Sequence, residues 1–341
     1  MAIGDTTGGA FQTGAQVVPG HQFGVDTGTV NPLLIEEYGG VVESQIIKTS
    51  IMKQFVDMKS VRGTDTVTND RIGTTSLQAV TPGVRPEPGV AEFDNVSVKV
   101  DTIILARNNV NLLVDFQSQY NVRAELGKDH GKIIGRFFDE AIMIQGMKAA
   151  NIVKGDGTGG TTKLPAGWVG GSQITLGAAG DELDSAKLQR AIEDLCEAIE
   201  TNDIELEGAV LLVNPAQYYT LVRNDKLISG DYSTANGDYA SGMVMKSCGV
   251  PVLKTNRLPQ AAVTGHYLSN AGNSDAYDVS AAEAKVVALL LMPKALLAGE
   301  TIPLTSKVYY SDVEIQWFID SYLAFGVTPN RGEYAGVINA F

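Results

Sequence analysis

Histidine and cysteine, the side chains that most often carry acid–base, nucleophilic and metal chemistry, are few in this chain and far apart in sequence. Its 341 residues include three histidines, His21, His130 and His266, and two cysteines, Cys196 and Cys248. No HExxH, paired CxxC or GxSxG motif occurs. Two cysteines cannot form a four-ligand zinc site or a disulfide framework, so we expect both to be small buried apolar residues. The sequence therefore predicts no catalytic, cofactor or metal site.

Two other patterns could suggest chemistry, and neither supports it. The glycine-rich stretch KGDGTGGTTKLP resembles a phosphate-binding loop, but Thr161 and Thr162 separate its last paired glycine from Lys163, and a helix precedes it instead of a strand. The neighbouring carboxylates Glu193 and Asp194 occupy adjacent helical positions that point apart, so they cannot form an acid–base pair. We predict a surface loop, a solvated helix face and no enzyme.

The charge of the chain argues against binding to nucleic acid. The formal net charge is −13, whereas proteins that grip phosphates need an excess of basic residues. The stretch 181–207, called the acidic block below, carries ten carboxylates against Lys187 and Arg190. It is either a solvated helix face or a surface whose negative charge prevents it from binding a polyanion. No membrane span or secretion signal is evident, which predicts maturation in a cytoplasm and no membrane partner.

One long helix must position the other elements. Apolar residues recur at three- and four-residue steps from about 121 to 151, which predicts a helix of about 45 Å. Asn121 can cap its N-terminus, and the glycine run from Gly155 can end it. The predicted buried stripe, which gives this spine helix its amphipathic pattern, consists of Leu126, Ile133, Ile134, Phe137, Ala141, Ile144 and Lys148.

Three glycines, Gly127, Gly131 and Gly135, lie four residues apart on one side of the spine helix. Each costs about 1 kcal/mol of helix stability relative to alanine. Either another backbone crosses closely at these spine glycines, or the helix bends there and they act as a hinge. The alternative is that they are incidental residues on an exposed face.

A long hairpin is predicted from Val61 to about 113. Valines at 96, 98 and 100 alternate with polar residues, as a half-buried strand requires. Prolines and glycines in TPGVRPEPG (81–89, the hairpin tip) make the turn. Such a ribbon cannot stabilise itself in water, so we expect it to contact a neighbouring subunit. The residues expected to make these inter-subunit contacts are Arg71, Pro82, Gly83, Arg85, Glu87, Lys99 and Arg107.

The remaining segments surround a second compact unit. Residues 1 to about 30 show no periodicity and form an arm, and a helix is predicted from Pro32 to Val56. Between about 180 and 300, helical patterns alternate with the apolar strands 209–213 and 284–292, which indicates an α/β unit with a buried sheet. A half-buried strand starting near Val313 then returns to pack on the spine helix.

Taken in order, these pieces resemble a major capsid protein of the T7-like group of tailed phages (podoviruses), which has the HK97-like fold. The resemblance covers nearly the whole chain and rests on the arm, the hairpin, VDFQSQYNVRAELG leading into the spine helix, GVPVLKTNRLP and the closing FGVTPNRGEYAGVI. The chain lacks the long N-terminal scaffolding segment of the HK97 phage itself, which argues against proteolytic maturation.

The resemblance implies an α+β capsid fold with an inserted α/β domain. The expected parts are an N-terminal arm (1–32), an N-terminal helical segment (33–60), an extended hairpin loop (61–113), a peripheral domain with the spine helix (114–179), an axial domain (180–300) and a C-terminal return to the peripheral domain (301–341).

The implied function is self-assembly into pentamers and hexamers of an icosahedral shell that encloses double-stranded DNA without sequence-specific binding. The implied partners are further copies of the chain, a scaffolding protein, a portal and a decoration or cement protein. Assembly would occur in the host cytoplasm and the product would be the virion capsid. An encapsulin-like nanocompartment shell has the same fold and is the first alternative, and an α/β enzyme with an arm is the second.

Overall fold

A computed structural model describes residues 50–72, 77, 79–83, 85, 93–117, 122–152, 169–224, 237–238, 243–244 and 246–341. The predicted arm, most of the predicted helix from Pro32, the cap Asn121, the loop from Gly155 and Glu87 lie outside these residues. Of the predicted first helix only the end is described, and there Met52–Gln54 forms a 3-10 turn.

Helices and strands alternate in no simple repeat, as expected of an α+β fold. In chain order they are β1 (Met58–Ser60), β2 (Thr66–Ile72), β3 (Phe93–Lys99), β4 (Ile104–Asn111), α1 (Leu112–Gln117), α2 (Val122–Ala150), β5 (Ser172–Thr175), α3 (Ser185–Glu200), β6 (Val210–Val213), α4 (Pro215–Val222), β7 (Gly237–Asp238), β8 (Met243–Val244), β9 (Lys246–Ser247), β10 (Val250–Lys254), β11 (Val286–Leu291), β12 (Leu296–Ser311), β13 (Gln316–Pro329) and β14 (Ala335–Asn339).

The contacts divide the chain into two compact units. Among the described residues, the first unit contains Thr102–Phe137 and Ile302–Phe325, and the second contains Met52–Asp101, Phe138–Thr301 and Gly326–Phe341. The spine helix is α2, and the boundary between the units crosses it after Phe137. The long strands β12 and β13 also contribute residues to both units.

In the first unit, β13 pairs with β4 in antiparallel register, with Asp320 opposite Arg107. These strands belong to a four-stranded sheet in the order β1-β12-β13-β4. The alternation predicted from Val313 begins later than expected, because 312–315 form the turn that precedes β13. Val313 and Ile315 are exposed in that turn.

The second unit is organised around a six-stranded sheet in the order β5-β14-β11-β6-β10-β9. The two runs predicted as buried strands are its central strands β6 and β11, and every residue in them is buried. The sheet extends beyond the predicted limits of 180–300. Its β5 comes from 172–175 and its β14 from 335–339, because β14 pairs with both β5 and β11.

Helices α2 and α3 pack on opposite faces of this sheet, and each packs closely at a glycine. A Cβ on Gly336 of β14 would lie 2.9 Å from the Leu195 side chain of α3, and a Cβ on Gly146 of α2 would lie 2.9 Å from the Leu291 side chain of β11. Both helices therefore approach the sheet more closely than any larger residue would allow. The second half of α2, from Ala141, is buried on all sides except at Lys148.

Helix α3 begins after an aspartate cap. The Asp184 side chain accepts hydrogen bonds from the backbone N–H groups of Ala186 and Lys187. The apolar face of α3 is fully buried at Leu188, Ile192, Leu195 and Ile199. This face and strands β6 and β11 form one hydrophobic core.

Candidate functional site

The paired part of the predicted hairpin is shorter than expected and consists of β2 and β3, in register from Thr66 opposite Lys99 to Ile72 opposite Phe93. Arg107 lies outside it, on β4. The ribbon contacts its own chain along its length: a Cβ on Gly299 would lie 2.6 Å from Val67, and one on Gly326 would lie 3.0 Å from Val98. One side of the ribbon at 66–72 and 93–99 is therefore held by its own chain, and contact of its exposed side with a neighbour stays a prediction.

Arg71 fastens the end of the ribbon nearest the tip. Its guanidinium forms an ion pair with Asp94, its partner across the strands, and donates to the backbone carbonyl of Asn330. Asn69 donates to the side chain of the same Asn330 at 2.9 Å. Asn330 is itself held, because its backbone N–H donates to Ala295. Arg71 is 8 % exposed, so this contact lies within the fold of the chain.

Arg107 is also engaged within its own chain. Two of its nitrogens donate to the two carboxylate oxygens of Asp320, at 2.7 and 2.6 Å. This bidentate hydrogen bonding raises the pKa of Arg107 further above its ordinary value. Tyr309 lies 3.4 Å from the same guanidinium. Arg107 is thus a residue of the sheet in the first unit, not of the hairpin.

The residues predicted near the hairpin tip are exposed where the structure describes them. Pro82 and Gly83 form a turn in which Gly83 has a φ of 91°. Arg85 is exposed, and the preceding Leu77 and Val80 have relative exposures of 101 % and 64 %. Lys99, at the opposite end of the ribbon, forms an exposed ion pair with Asp65 at 3.5 Å. Exposed large apolar side chains and an exposed arginine are residue types suited to contact with a partner.

The three spine glycines are buried, so they are not incidental residues on an exposed face. They share a side of α2 with His130, whose Nδ1 lies 3.3 Å from the Ser321 hydroxyl of β13. Two helical turns after His130, the ring of Phe137 packs edge-on against the ring of Phe325 on β13, with the ring centroids 6.1 Å apart. From His130 to Phe137 the helix advances about 10 Å, and from Ser321 to Phe325 the strand advances about 13 Å. Because these two distances are similar, α2 runs along β13 between the two contacts.

Burial on the spine helix does not follow the apolar pattern. His130 is buried, and desolvation lowers its pKa. Ile133 was expected in the buried stripe, yet it is about half exposed. The buried side of the first half of α2 is therefore the glycine side, which the apolar periodicity alone does not indicate.

The acidic block is a solvated face. Its carboxylates on α3, Glu193, Asp194, Glu197 and Glu200, are all exposed. Asp181 forms an ion pair with Lys187 at 2.7 Å. Cys196 is buried as expected, whereas Cys248 is exposed, contrary to expectation.

No cluster of three or more histidine, cysteine or acidic side chains that could hold a metal ion occurs in the part of the chain that the structure describes. No helix among the described residues is long and apolar enough to cross a membrane. Outside the predicted residues, the exposed apolar side chains of the first unit include Leu113 and Phe116 of α1 together with Val313 and Ile315. The sequence showed no signal for this exposure, because apolar residues in short helices and turns are normally assigned to a core.

Comparison with known proteins places these features in a family. A family model described as phage capsid protein matches residues 113–340, which include α2, α3, both units' long strands and the six-stranded sheet. No curated protein matches the chain by sequence.

Solved structures show the same fold at low identity. The chain in the mature capsid of bacteriophage PhiM1 is 23 % identical, with a TM-score of 0.71 over 94 % of this chain and 90 % of that one. The capsid of cyanophage P-SCSP1u is 17 % identical, with a TM-score of 0.73 over 86 % and 88 %. A virus-like particle from Pyrococcus furiosus is 11 % identical, with a TM-score of 0.53 over 90 % and 99 %.

Proposed function

Because the chain belongs to the phage capsid protein family and has the HK97-like fold, we propose that it assembles as pentamers and hexamers into an icosahedral shell around double-stranded DNA. It is a structural shell protein and not an enzyme. The observation that carries the proposal is the family match over 113–340, which spans the spine helix and the layered second unit. The virion capsid is then its location, and the host cytoplasm its place of assembly.

Within the family, the T7-like group is the best candidate. The stretches VDFQSQYNVRAELG, GVPVLKTNRLP and FGVTPNRGEYAGVI support it. The described parts of the first stretch form α1 and the start of α2, the second contains β10, and the third contains the end of β13 and β14.

The domain roles follow the family pattern. Residues 1–32 are the arm, 61–113 contain the extended loop, the spine helix belongs to a peripheral domain, and 180–300 form most of an axial domain. The layered sheet between α2 and α3 supports the last assignment, although it also takes in β5 and β14. The spine glycines form a hinge at which α2 bends as the shell expands, and their burial supports a mechanical role.

Subunit contacts are made by the segment between β2 and β3. Leu77, Val80 and Arg85 are exposed there, whereas Arg71 and Arg107 have carboxylate partners in their own chain. Each copy would place this segment on an adjacent copy, and a closed shell repeats the contact by symmetry. The further partners are a scaffolding protein, a portal and a decoration protein.

The solvated acidic face of α3 supports a container that does not grip its contents. An exposed row of carboxylates repels a polyanion, so enclosed DNA could leave the shell without breaking specific contacts. The encapsulin-like alternative, a shell around cargo enzymes, would share the assembly and differ in its contents.

Assembly of the purified chain tests the proposal. We expect sedimentation and negative-stain electron microscopy to show closed icosahedral particles, with a co-expressed scaffolding protein if the chain alone forms only capsomers. A small oligomer of defined size under every condition would contradict the proposal. Particles from infected cells should contain nuclease-protected double-stranded DNA, and cargo protein without DNA would instead support the encapsulin-like alternative.

A further inference from the structure

Two thiols meet at the surface of the second unit. Cys196 is buried on α3, and Cys248 is exposed in the turn between β9 and β10. The two thiols are close enough for each to shift the pKa of the other. Both line an open cleft of about 470 Å³, whose other lining residues include the α3 carboxylates Glu193, Glu197 and Glu200.

The turn that carries Cys248 has an unusual sequence. Ser247 and Val250 are register partners, so Cys248 and Gly249 form a two-residue hairpin loop. Their φ angles are 51° and 79°, as in a type I′ turn. Asparagine, aspartate or glycine is strongly preferred at the first of these positions, because other side chains are strained at positive φ. A cysteine here departs from what the turn alone would favour.

Side chains hold this turn against α3. The Ser247 hydroxyl is buried and donates to the Gln189 side chain at 3.1 Å. Gln189 in turn donates to Glu193 at 2.9 Å. Cys196 follows Gln189 by two helical turns on the same side of α3, so the bond from Ser247 holds the turn on the side of α3 that carries Cys196. The two thiols are therefore positioned by the fold.

The two thiols differ in acidity. Interaction with the Cys196 thiol, assisted by the Ser247 hydroxyl, lowers the pKa of Cys248 to about 7. Interaction with Cys248 and burial raise the pKa of Cys196. A thiol with a pKa near the ambient pH is the best attacking group in thiol–disulfide exchange. Cys248 thus has the properties of a nucleophile, and Cys196 those of a resolving thiol.

We propose that Cys248 and Cys196 form a site of thiol–disulfide exchange that accepts small cationic or neutral disulfides and ends as an intrachain disulfide. The Cys248 thiolate, whose proton has gone to solvent, attacks one sulfur of the small disulfide and releases the other half as a thiolate. Cys196 then attacks the Cys248 sulfur, passes its proton to the second leaving thiolate and closes the Cys196–Cys248 bond. Two protein thiols are oxidised and one small disulfide is reduced to two thiols, one of which takes the proton from solvent.

Charge around the cleft sets the preference among disulfides. Glu193, Glu197 and Glu200 place three carboxylates beside the thiols, and the structure shows no lysine or arginine among the described residues that line the cleft. An anionic disulfide is repelled there, whereas a cationic one is attracted. The preference should weaken as salt is added.

The test uses the full-length purified chain and two probes, cystamine as the cationic disulfide and oxidised glutathione as the anionic one. With cystamine we expect each chain to lose the mass of two hydrogen atoms, and peptide mapping to show Cys196 joined to Cys248. The initial rate with oxidised glutathione should be at least about tenfold lower at low salt. In the chain-entropy picture, closing a loop of about 50 residues should raise the melting temperature by roughly 5–15 °C.

Two variants separate the roles of the thiols. Cys196→Ala should stop at a stable mixed disulfide on Cys248. Cys248→Asn, which suits a type I′ turn and should keep the hairpin folded, should leave Cys196 unmodified. Glu200→Gln should narrow the difference between the two probes. Three results would overturn the proposal. They are a mixed disulfide that accumulates on the wild-type chain, a crosslink between two chains, and reaction of Cys196 in the Cys248→Asn variant at the wild-type rate.

Discussion

The same substitution at two arginines separates folding from assembly. Arg71 is buried and bound to Asp94 and to the Asn330 carbonyl, whereas Arg85 is exposed near the hairpin tip. Arg71→Glu removes charge-assisted hydrogen bonds, each contributing about 1.5–3 kcal/mol, and places a second carboxylate directly opposite Asp94. Breaking a buried pair typically costs about 3–5 kcal/mol, and the one-third exposure of Asp94 favours the lower end of that range.

We therefore expect Arg71→Glu to lower the free energy of unfolding by about 3 kcal/mol. Arg85→Glu should change it by less than about 0.5 kcal/mol, as is usual for an exposed residue. Urea denaturation of the unassembled chain, followed by circular dichroism, measures both values. Particle yield by sedimentation is the second readout, and we expect it to fall for Arg85→Glu even though the chain remains as stable as the wild type.

Two results would refute this reasoning. If Arg71→Glu unfolds at the wild-type urea concentration, the ribbon is not fastened to Asn330 in solution. If Arg85→Glu assembles like the wild type, the segment between β2 and β3 does not mediate subunit contacts. Arg85→Lys is the matched control, because it keeps the charge and should assemble normally.

Four further changes test other parts of the structure. Replacing all three spine glycines by alanine should cost about 1–3 kcal/mol through overpacking on the buried side of α2 and should slow shell expansion; a gain in stability, as helix propensity alone would give, would contradict this. Tyr277→Phe should cost about 1–3 kcal/mol in denaturation experiments, because the Tyr277 hydroxyl bonds both the N–H and the carbonyl of Val327 in the core. Burial lowers the pKa of His130, so the unfolded chain binds the proton more readily, and stability should fall as the pH drops below about 6.5; His130→Gln should reduce that slope. Ile315→Asn should raise the melting temperature slightly, since Ile315 has a φ of 53°, whereas Val313→Asn should not.

Local patterns predicted the elements of the structure well. The spine helix and the fully apolar strands β6 and β11 follow from short-range periodicity. Local patterns did not predict which strands share a sheet, because β5, β11 and β14 become neighbours through pairings between distant parts of the chain. Periodicity indicates that a strand is buried on both faces, but it does not identify the strands beside it.

The candidate site shows the same limit. The pairing of Arg71 with Asp94 depends on the register of β2 and β3, which the charges alone do not specify. The spine glycines resembled exposed residues because a glycine adds nothing to an apolar stripe, yet close approach to another element is the reason a helix would contain them. The Cys248–Gly249 turn has a recognisable sequence pattern, because two residues ending in glycine link two short strand-like runs.

The fastening of the ribbon to its own chain limits where a neighbouring subunit can be contacted. Ile72 and Phe93 are register partners, so the segment between them must leave and return at one place. About 20 residues arranged as two extended halves reach at most about 35 Å. A compact chain of this length has a radius of gyration of about 20 Å, so such a segment can extend past its own subunit, but only to an adjacent one. The proposed contacts between subunits through this hairpin would therefore be restricted to nearest neighbours, which is compatible with the proposed assembly through capsomers.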